Sequence, residues 1–449
     1  MITPLLAQAV ILLYGASAVV LISSPLISAA LFIGVRSALQ LAAFKGFTLF
    51  GVLPIFTLPF LIIAVMAVYT WANSPHKSNN NRIVFYYYIF IAISMVSYLV
   101  NISHSGKPIE VISKLLTPTF IYVVIYYGIR NLDDVEKALR YVVYSSVIPI
   151  GAGLYQAAIG AGYSFGTDSY VPGLRITGSI VDPNLYGIYL TFILCYCVAL
   201  VQWGRSSKLM VLYLLLVMAT IVLAKNRGTW IAIAGAVMVS VWLFRSRLNI
   251  RYWVMGGALV ALLAAPVMLT RFQQLNEYDE YGQSQDTFSE RLEHHSRLLD
   301  MSLGSPLIGF GFESSIISLG NSGLKILPHN DYVRAAVEFG YIAVFFYLVF
   351  FFSQMMFCVN NRRSDLWGVQ FAGMIMQVYI FIISFSQNLF ADILVYSIFF
   401  YFLAISHRSG ELARPMMQGG AHVQLGSDRL GPAGRGNRLR SQPLRPMRR

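Results

Sequence analysis

Charge is scarce in this sequence. Asp, Glu, Lys and Arg make up 12% of the 449 residues, against roughly 25% in an average soluble domain. With 57% hydrophobic residues and a mean hydropathy of +0.62, that scarcity excludes an ordinary soluble domain and defines a polytopic membrane protein. Cysteine is scarcer still: Cys195, Cys197 and Cys358 all lie in apolar runs and read as small core hydrophobes, which argues against a disulfide framework. No internal repeat at a fixed period is present, which argues against a solenoid and against a repeat-built transporter. The opening stretch "MITPLLAQAVILLYG" lacks the basic region of a cleavable signal.

What is present is a succession of long apolar segments. A helix needs about 20 such residues to cross the hydrocarbon core, since every backbone polar group must be satisfied within the segment. Candidate spans fall at 47–71, 84–101, 111–128, 138–160, 183–201, 208–223, 228–244, 252–269, 336–358, 367–386 and 389–405, with one or two more in the first 35 residues. The expected fold is therefore an all-α polytopic membrane protein of about 12 transmembrane helices. Its transmembrane domain covers 1–405 and includes one long, partly helical loop at 270–335. The net charge of +13 would suggest nucleic acid in a soluble protein, but much of it lies at the C-terminus. Segment 406–449, rich in Gly, Pro and Arg, is expected to be a disordered basic cytoplasmic tail touching anionic lipid rather than a nucleic-acid arm.

Lys and Arg concentrate in cytoplasmic loops. Working back from the basic tail, "NNRRSD" (360–365), "RSRLNIR" (245–251), "WGRSSK" (203–208), "RNLDDVEKALR" (130–140) and "HKSNNNR" (76–82) fall on the cytoplasmic side. The outer side receives 102–110, 161–182, 224–227 and 270–335. The link "LAKNRGTW" then places two cations, Lys225 and Arg227, on the side where short loops usually lack them. Either both side chains snorkel to headgroups or they serve a site.

The loop 270–335 is long enough to carry function. Within it "DTFSERLEHHSRLLDMSLG" reads as a helix, with Thr287 and Glu290 as a capping box, Phe288, Leu292, Leu299 and Leu303 near one face, and Gly304 and Pro306 ending it. Arg291 and His295 are four apart and share a face. Arg291 lies in the first turns, where a cation opposes the helix dipole and an anion nearby would resolve the mismatch. Downstream, in "LPHNDYVRAAVEFGYIAVFF", Asn330 and Asp331 are helix starters. His329 before them is either part of a polar cap or a proton acceptor at the membrane surface. In "GLRITGSIVDPNLYGIYL", Asp182 and Pro183 fit an N-cap followed by proline at the first helical position, while Arg175 adds another outer cation.

Together these residues suggest an outward-facing site in which arginines hold phosphate and a histidine serves an acceptor. The guanidinium fork donates two hydrogen bonds and keeps its charge on burial. Donors aimed at charge that appears as a pyrophosphate leaves can contribute about 3–4 kcal/mol each.

"RITGSIVDPNLYGIYL", "LAKNRGTWIAIAGAV", "RLEHHSRLLDMSLGSPLIGFGFES" and "HNDYVRAAVEFGYIA", in this order and spacing, resemble the bacterial O-antigen ligase and polymerase superfamily of integral-membrane glycosyltransferases, with a GT-C-like fold. The resemblance covers most of the chain beyond residue 170; before it only the hydropathy matches. It implies that Arg227 and Arg291 bind the pyrophosphate of a polyprenyl-linked glycan and that His329 activates an acceptor hydroxyl. It further implies a metal-independent, inverting enzyme without cofactor, working at the periplasmic face of the inner membrane on a lipid-linked donor and a lipid A core or glycan acceptor. His295 stands where tryptophan is common in the family. Lys225 and Arg175 have no assured counterpart and are candidates for binding near the pyrophosphate, as is His295. Ligase action is the favoured reading, polymerase action the alternative. A polysaccharide or lipid transporter is a third reading, disfavoured because ionisable groups gather at the outer face rather than along the spans.

Overall fold

The computed structural model describes residues 20, 24–38, 48–49, 53–54, 57–75, 82–102, 108–160, 175–180, 182–273, 287–321, 329–390 and 392–427. The spans expected before residue 20, the tail beyond 427 and the capping side chains at 287–290 lie outside the described residues. Sixteen helices are traced among the described residues. Their single strand pairing is a two-residue antiparallel ladder, β1 (Thr48–Leu49) with β2 (Leu53–Pro54). Three helices are long and apolar enough to cross a membrane, namely Pro183–Gln202, Tyr341–Asn360 and Ile393–Ala413, and six shorter apolar helices accompany them.

Many expected spans coincide with helices. In chain order, α1 is Pro25–Ala38, α2 Thr57–Ala72, α3 Arg82–Val100, α4 Pro108–Gly128, α5 Leu132–Ser145, α6 Val147–Ala158, α7 Pro183–Gln202 and α8 Lys208–Leu223. Beyond these, α9 is Arg227–Leu243, α10 Ile250–Gln273, α11 Thr287–Ser302, α12 Ser314–Asn321, α13 Asp331–Phe339, α14 Tyr341–Asn360, α15 Trp367–Ile383 and α16 Ile393–Ser427. The cap at 182 forms as the sequence predicts: the Asp182 carboxylate accepts from Asn184 N at 2.7 Å and Pro183 opens the helix. Ser207 and Asn226 likewise cap α8 and α9 through their side chains.

Four expectations need correction. The span 47–71 begins as a helix only at Thr57, because Pro54 pairs in the short ladder and Pro59 suits only a first turn. The span 138–160 is two helices, α5 and α6, divided at Ser146. The charged run given to a loop is part of α5, which Asn131 caps and whose Val135, Ala138, Leu139, Val142 and Val143 are buried. The span 336–358 is also divided, since Gly340 at φ 83° separates α13 from α14. Finally α16 runs past the expected end at 405. Its continuation is held by Arg408, which donates to the Ile129 carbonyl at 3.1 Å and pairs with Glu411 at 2.9 Å.

The interior is aromatic. Tyr87 lies 4.6 Å from Phe400 and 5.1 Å from Phe350 between ring centroids, and Phe90 lies 5.0 Å from Tyr347, joining α3, α14 and α16. In lipid, helices associate through close packing, which small residues permit. A Cβ on Gly368 would come within 2.7 Å of the Gln202 backbone, so α15 meets the end of α7 at that glycine. Outside, Val65, Leu212, Met238, Trp242 and Phe345 are exposed, an apolar surface suited to acyl chains.

Two poles result. At one, Arg140 donates to the Arg205 carbonyl at 2.6 Å, Arg205 pairs with Glu136 at 3.4 Å, and Arg247 donates to the Arg363 carbonyl at 3.0 Å. At the other, Asn101 donates to the Gly309 carbonyl at 3.4 Å, Lys114 pairs with Glu313 at 3.3 Å, and Asn226 donates to the Asn184 carbonyl at 3.3 Å. Among the described residues, basic loops 130–140 and 203–208 contact each other, as do 245–251 and 360–365.

Candidate functional site

Three turns meet at the pole that carries few basic loops. The first is Ala224–Asn226. Lys225 takes a left-handed conformation, φ 51°, which costs a residue with a Cβ and turns the chain sharply between α8 and α9. Asn226, buried, caps α9 and reaches across to Asn184. Arg227 is the first residue of α9, where the helix dipole disfavours a cation and favours an anion held beside it. Lys225 and Arg227 are both half-buried.

The second turn is His329–Asp331. His329 is also left-handed, φ 48°. Asn330 accepts from Tyr332 N at 3.0 Å and Val333 N at 3.1 Å, capping α13 as the sequence predicts. Asp331 does what the sequence does not announce. Its backbone N donates to the Ser384 carbonyl at 2.8 Å, and its buried carboxylate accepts from Leu389 N at 2.8 Å and Ser384 Oγ at 3.1 Å. Burial pushes this carboxyl up to about 7, against the opposing field of Arg334 and those hydrogen bonds.

The third turn, beginning at Ser384, links the other two. Asp331 grips it on one side, and on the other Ser386 Oγ would lie 3.4 Å from a Cβ added to Gly228. Arg227 and His329 are therefore joined through the turn between α15 and α16.

Arg291 comes to the same place on α11, which docks on α13 through Leu298, Val333 and Val337. The segment "PLIGFG" fastens this dock: Tyr341 N donates to the Pro306 carbonyl at 2.7 Å, Phe310 N to Val337 at 2.9 Å and Gly311 N to Glu338 at 3.0 Å. A Cβ on Gly309 would lie 2.5 Å from the Glu338 backbone and one on Gly340 2.4 Å from Leu307, so both positions need glycine for approach as well as for positive φ. Arg291, His294 and His295 then surround His329. Burial first, then the Arg291 charge and the neighbouring histidines, lower His329 to about 4. Burial also lowers the Arg291 guanidinium. At neutral pH His329 is uncharged and able to accept a proton.

Because the folded imidazole binds its proton more weakly than an unfolded one, acid favours the unfolded chain as pH falls from about 6.5 to 4. For a base acting in its neutral form, the acid limb of kcat/KM is expected well below 6.5, while the limb of kcat moves up when an anionic donor is bound. Parallel pH profiles of the two constants check this, and a common limb at 6.5 rules out the buried, cation-flanked base.

Arg175 donates to Asn184 Oδ1 at 2.6 Å, so one asparagine ties it to the Asn226 turn. Next to it, burial raises both Asp182 and Asp392. The Arg175 charge opposes that rise at Asp182, and the charges of Arg36 and Lys114 oppose it at Asp392. Arg36 and Lys114 are functional candidates that the sequence reading passed over. The available signal was a lone cation in each of two apolar runs, "FIGVRSAL" and "VISKLLT". His294, buried beside His329, was passed over for its neighbour His295. Among the described residues no group of three or more His, Cys, Asp or Glu converges as metal ligands do.

Beneath the site Arg334 and Glu338, 3% and 0% exposed, pair at 2.9 Å, with the guanidinium 4.9 Å from the Phe390 ring centroid and Ser315 Oγ donating to the carboxylate. Glu338→Ala leaves a buried cation alone and is expected to cost about 3–5 kcal/mol. Thermal unfolding in detergent measures it, and an unchanged midpoint would show that the pair contributes nothing.

A polytopic bundle that carries Arg227, Arg291 and a neutral histidine at one pole is equipped to hold an anionic group there. The family model described as O-antigen ligase matches residues 210–348, a segment that contains Lys225, Arg227, Arg291, His295 and His329. Over that segment the chain is similar to the O-antigen ligase and polymerase superfamily, glycosyltransferase-like enzymes of the membrane. A comparison with curated proteins finds no match.

Proposed function

We propose that this protein transfers a glycan from a polyprenyl-pyrophosphate carrier to a sugar hydroxyl, as an O-antigen ligase does when it places finished glycan on lipid A core. The observation that supports this reading is the setting of His329: neutral, and flanked by Arg291 on a helix docked beside it. In this reading Arg227 and Arg291 bind the pyrophosphate, and the N-terminus of α9 adds its dipole. His329 takes the proton from the acceptor hydroxyl as that oxygen attacks the anomeric carbon. The carbon–oxygen bond to the pyrophosphate breaks on the opposite face, inverting the centre, and the arginines hold the charge that appears on the leaving group. In the same reading Arg175, Lys225 and His295 extend the anionic site.

The same geometry would serve a polymerase that joins repeat units on the carrier. Glycolipid analysis of a deletion strain decides between them. Polymerised glycan accumulating on the carrier supports ligase action, single repeat units replace it with polymerase action, and unchanged glycolipids overturn both. The proposed topology has about 12 spans, the site at the periplasmic face of the inner membrane and the C-terminus in the cytoplasm. Its support is the sorting of basic loops to the pole opposite His329.

A further inference from the structure

The molecule has a cavity of about 340 Å3 at the basic pole, away from the turns that carry His329 and Arg227. The start of α1, the end of α2 and the junction of α4 with α5 wall it. Its size falls within the range of small-ligand sites, roughly 300–1,000 Å3, and its lining is selective in the kind of hydrogen bond it offers.

Tyr69, Tyr127 and Tyr141 line the cavity, and none of their hydroxyls has a hydrogen-bond partner among the described residues. Arg130 is exposed; its backbone N donates to Asp134 at 3.0 Å, while its guanidinium makes no hydrogen bond or ion pair among the described residues. Lys137 stands 4.0 Å from Asp134 with its side chain 56% exposed, a contact too loose to occupy the ammonium. The other polar side chains are engaged. Thr70 donates to the Met66 carbonyl at 2.8 Å, Asn73 to the Tyr69 carbonyl at 2.8 Å, and Asp134 holds the start of α5. What the cavity has to give is therefore two cations and three phenol donors around a single carboxylate. A group made only of acceptors and carrying negative charge, a phosphate, is the chemical complement.

The cavity mouth continues onto apolar surface. Leu61, Val65 and Val68 are exposed on one face of α2, and that face ends at Tyr69 in the cavity wall. We propose that this cavity binds the phosphate headgroup of an anionic membrane lipid whose acyl chain lies along the Leu61, Val65 and Val68 face. The site is separate from the transfer chemistry and does not depend on it. Headgroup and chain are recognised together, because polar cavity and apolar strip meet at one tyrosine.

Native mass spectrometry of the full chain in mild detergent tests this by titration with dioctanoyl phosphatidylglycerol, dioctanoyl phosphatidylcholine and sn-glycerol 3-phosphate. Saturable binding of phosphatidylglycerol in preference to phosphatidylcholine is expected. R130Q/K137Q is expected to weaken it by about tenfold or more, since charged hydrogen bonds are lost, while eluting and melting as the parent does. Tyr69→Phe with Tyr127→Phe is expected to weaken it less. Parental affinity in R130Q/K137Q, or equal binding of phosphatidylcholine, overturns the proposal. Displacement of the lipid by equimolar glycerol phosphate overturns the lipid as source and assigns the site to a soluble phosphate ester.

Discussion

Alanine at His329 is expected to stop glycan transfer while leaving the donor bound, a loss of about 10²–10⁴-fold in kcat, the usual range for removing a general base. The role rests on three features of its surroundings. The left-handed backbone at φ 48° fixes the direction in which the ring leaves the chain. Asn330 and Asp331 lock the next two residues to α13 and to the turn at Ser384, so the ring's anchor is rigid. Burial and Arg291 keep the imidazole neutral. Since alanine is strained at positive φ, His329→Asn is the better control for the fold: asparagine tolerates this backbone and offers no base. Single-turnover assays with purified lipid-linked donor separate binding from chemistry. Transfer by His329→Asn at the parental rate would remove the histidine from the mechanism.

The second large effect is expected at Arg227, where lysine in place of arginine should lower kcat by about 10²–10³-fold despite the unchanged charge, the range found when one donor to a developing anion is removed. A guanidinium can grip two phosphate oxygens at once, whereas an ammonium is a point charge on a flexible stem. At the first residue of α9 the difference is sharpened, because the side chain must share an anion with the amides of the helix start. Lys225→Ala is expected to act otherwise, raising KM and weakening the salt dependence of donor capture with little change in kcat, if its part is to draw the donor in. Near-parental turnover by Arg227→Lys would exclude the bidentate grip.

The parts of this architecture that were legible in the sequence are those set by local chemistry. Asp182 before Pro183 is a cap because a short acceptor followed by a ring without an N–H suits a helix start and little else. The helix opening at Thr287 and finished before Gly304 follows from its stop signals, but its expected apolar face was the wrong one: Leu292, Leu299 and Leu303 are exposed, and the helix docks through Leu298. Lys225, Arg227, Arg291 and His329 stood out because polar groups are few and fell in the outer connections. The divided helices did not stand out. Hydropathy reads 138–160 and 336–358 as continuous apolar runs, since Ser146 and Gly340 alter direction without altering composition. Asp331 was equally hidden: from sequence it is a helix starter, and its grip on Ser384 and Leu389 depends on residues more than 50 positions away.

By itself the sequence determined that this chain lives in lipid, and which few side chains can meet an anion. These are consequences of transfer free energies and of charge counts, and they need no knowledge of neighbours. Tertiary structure decided that α11 docks on α13, that the turn at Ser384 spans from Gly228 to Asp331, and that Arg291 stands against His329. Helix packing in a bilayer follows shape rather than hydrophobicity, because every candidate surface is already apolar. The glycines at 309 and 340, which admit one backbone against another, therefore place the histidine and Arg291 together in a way that no count of apolar residues contains.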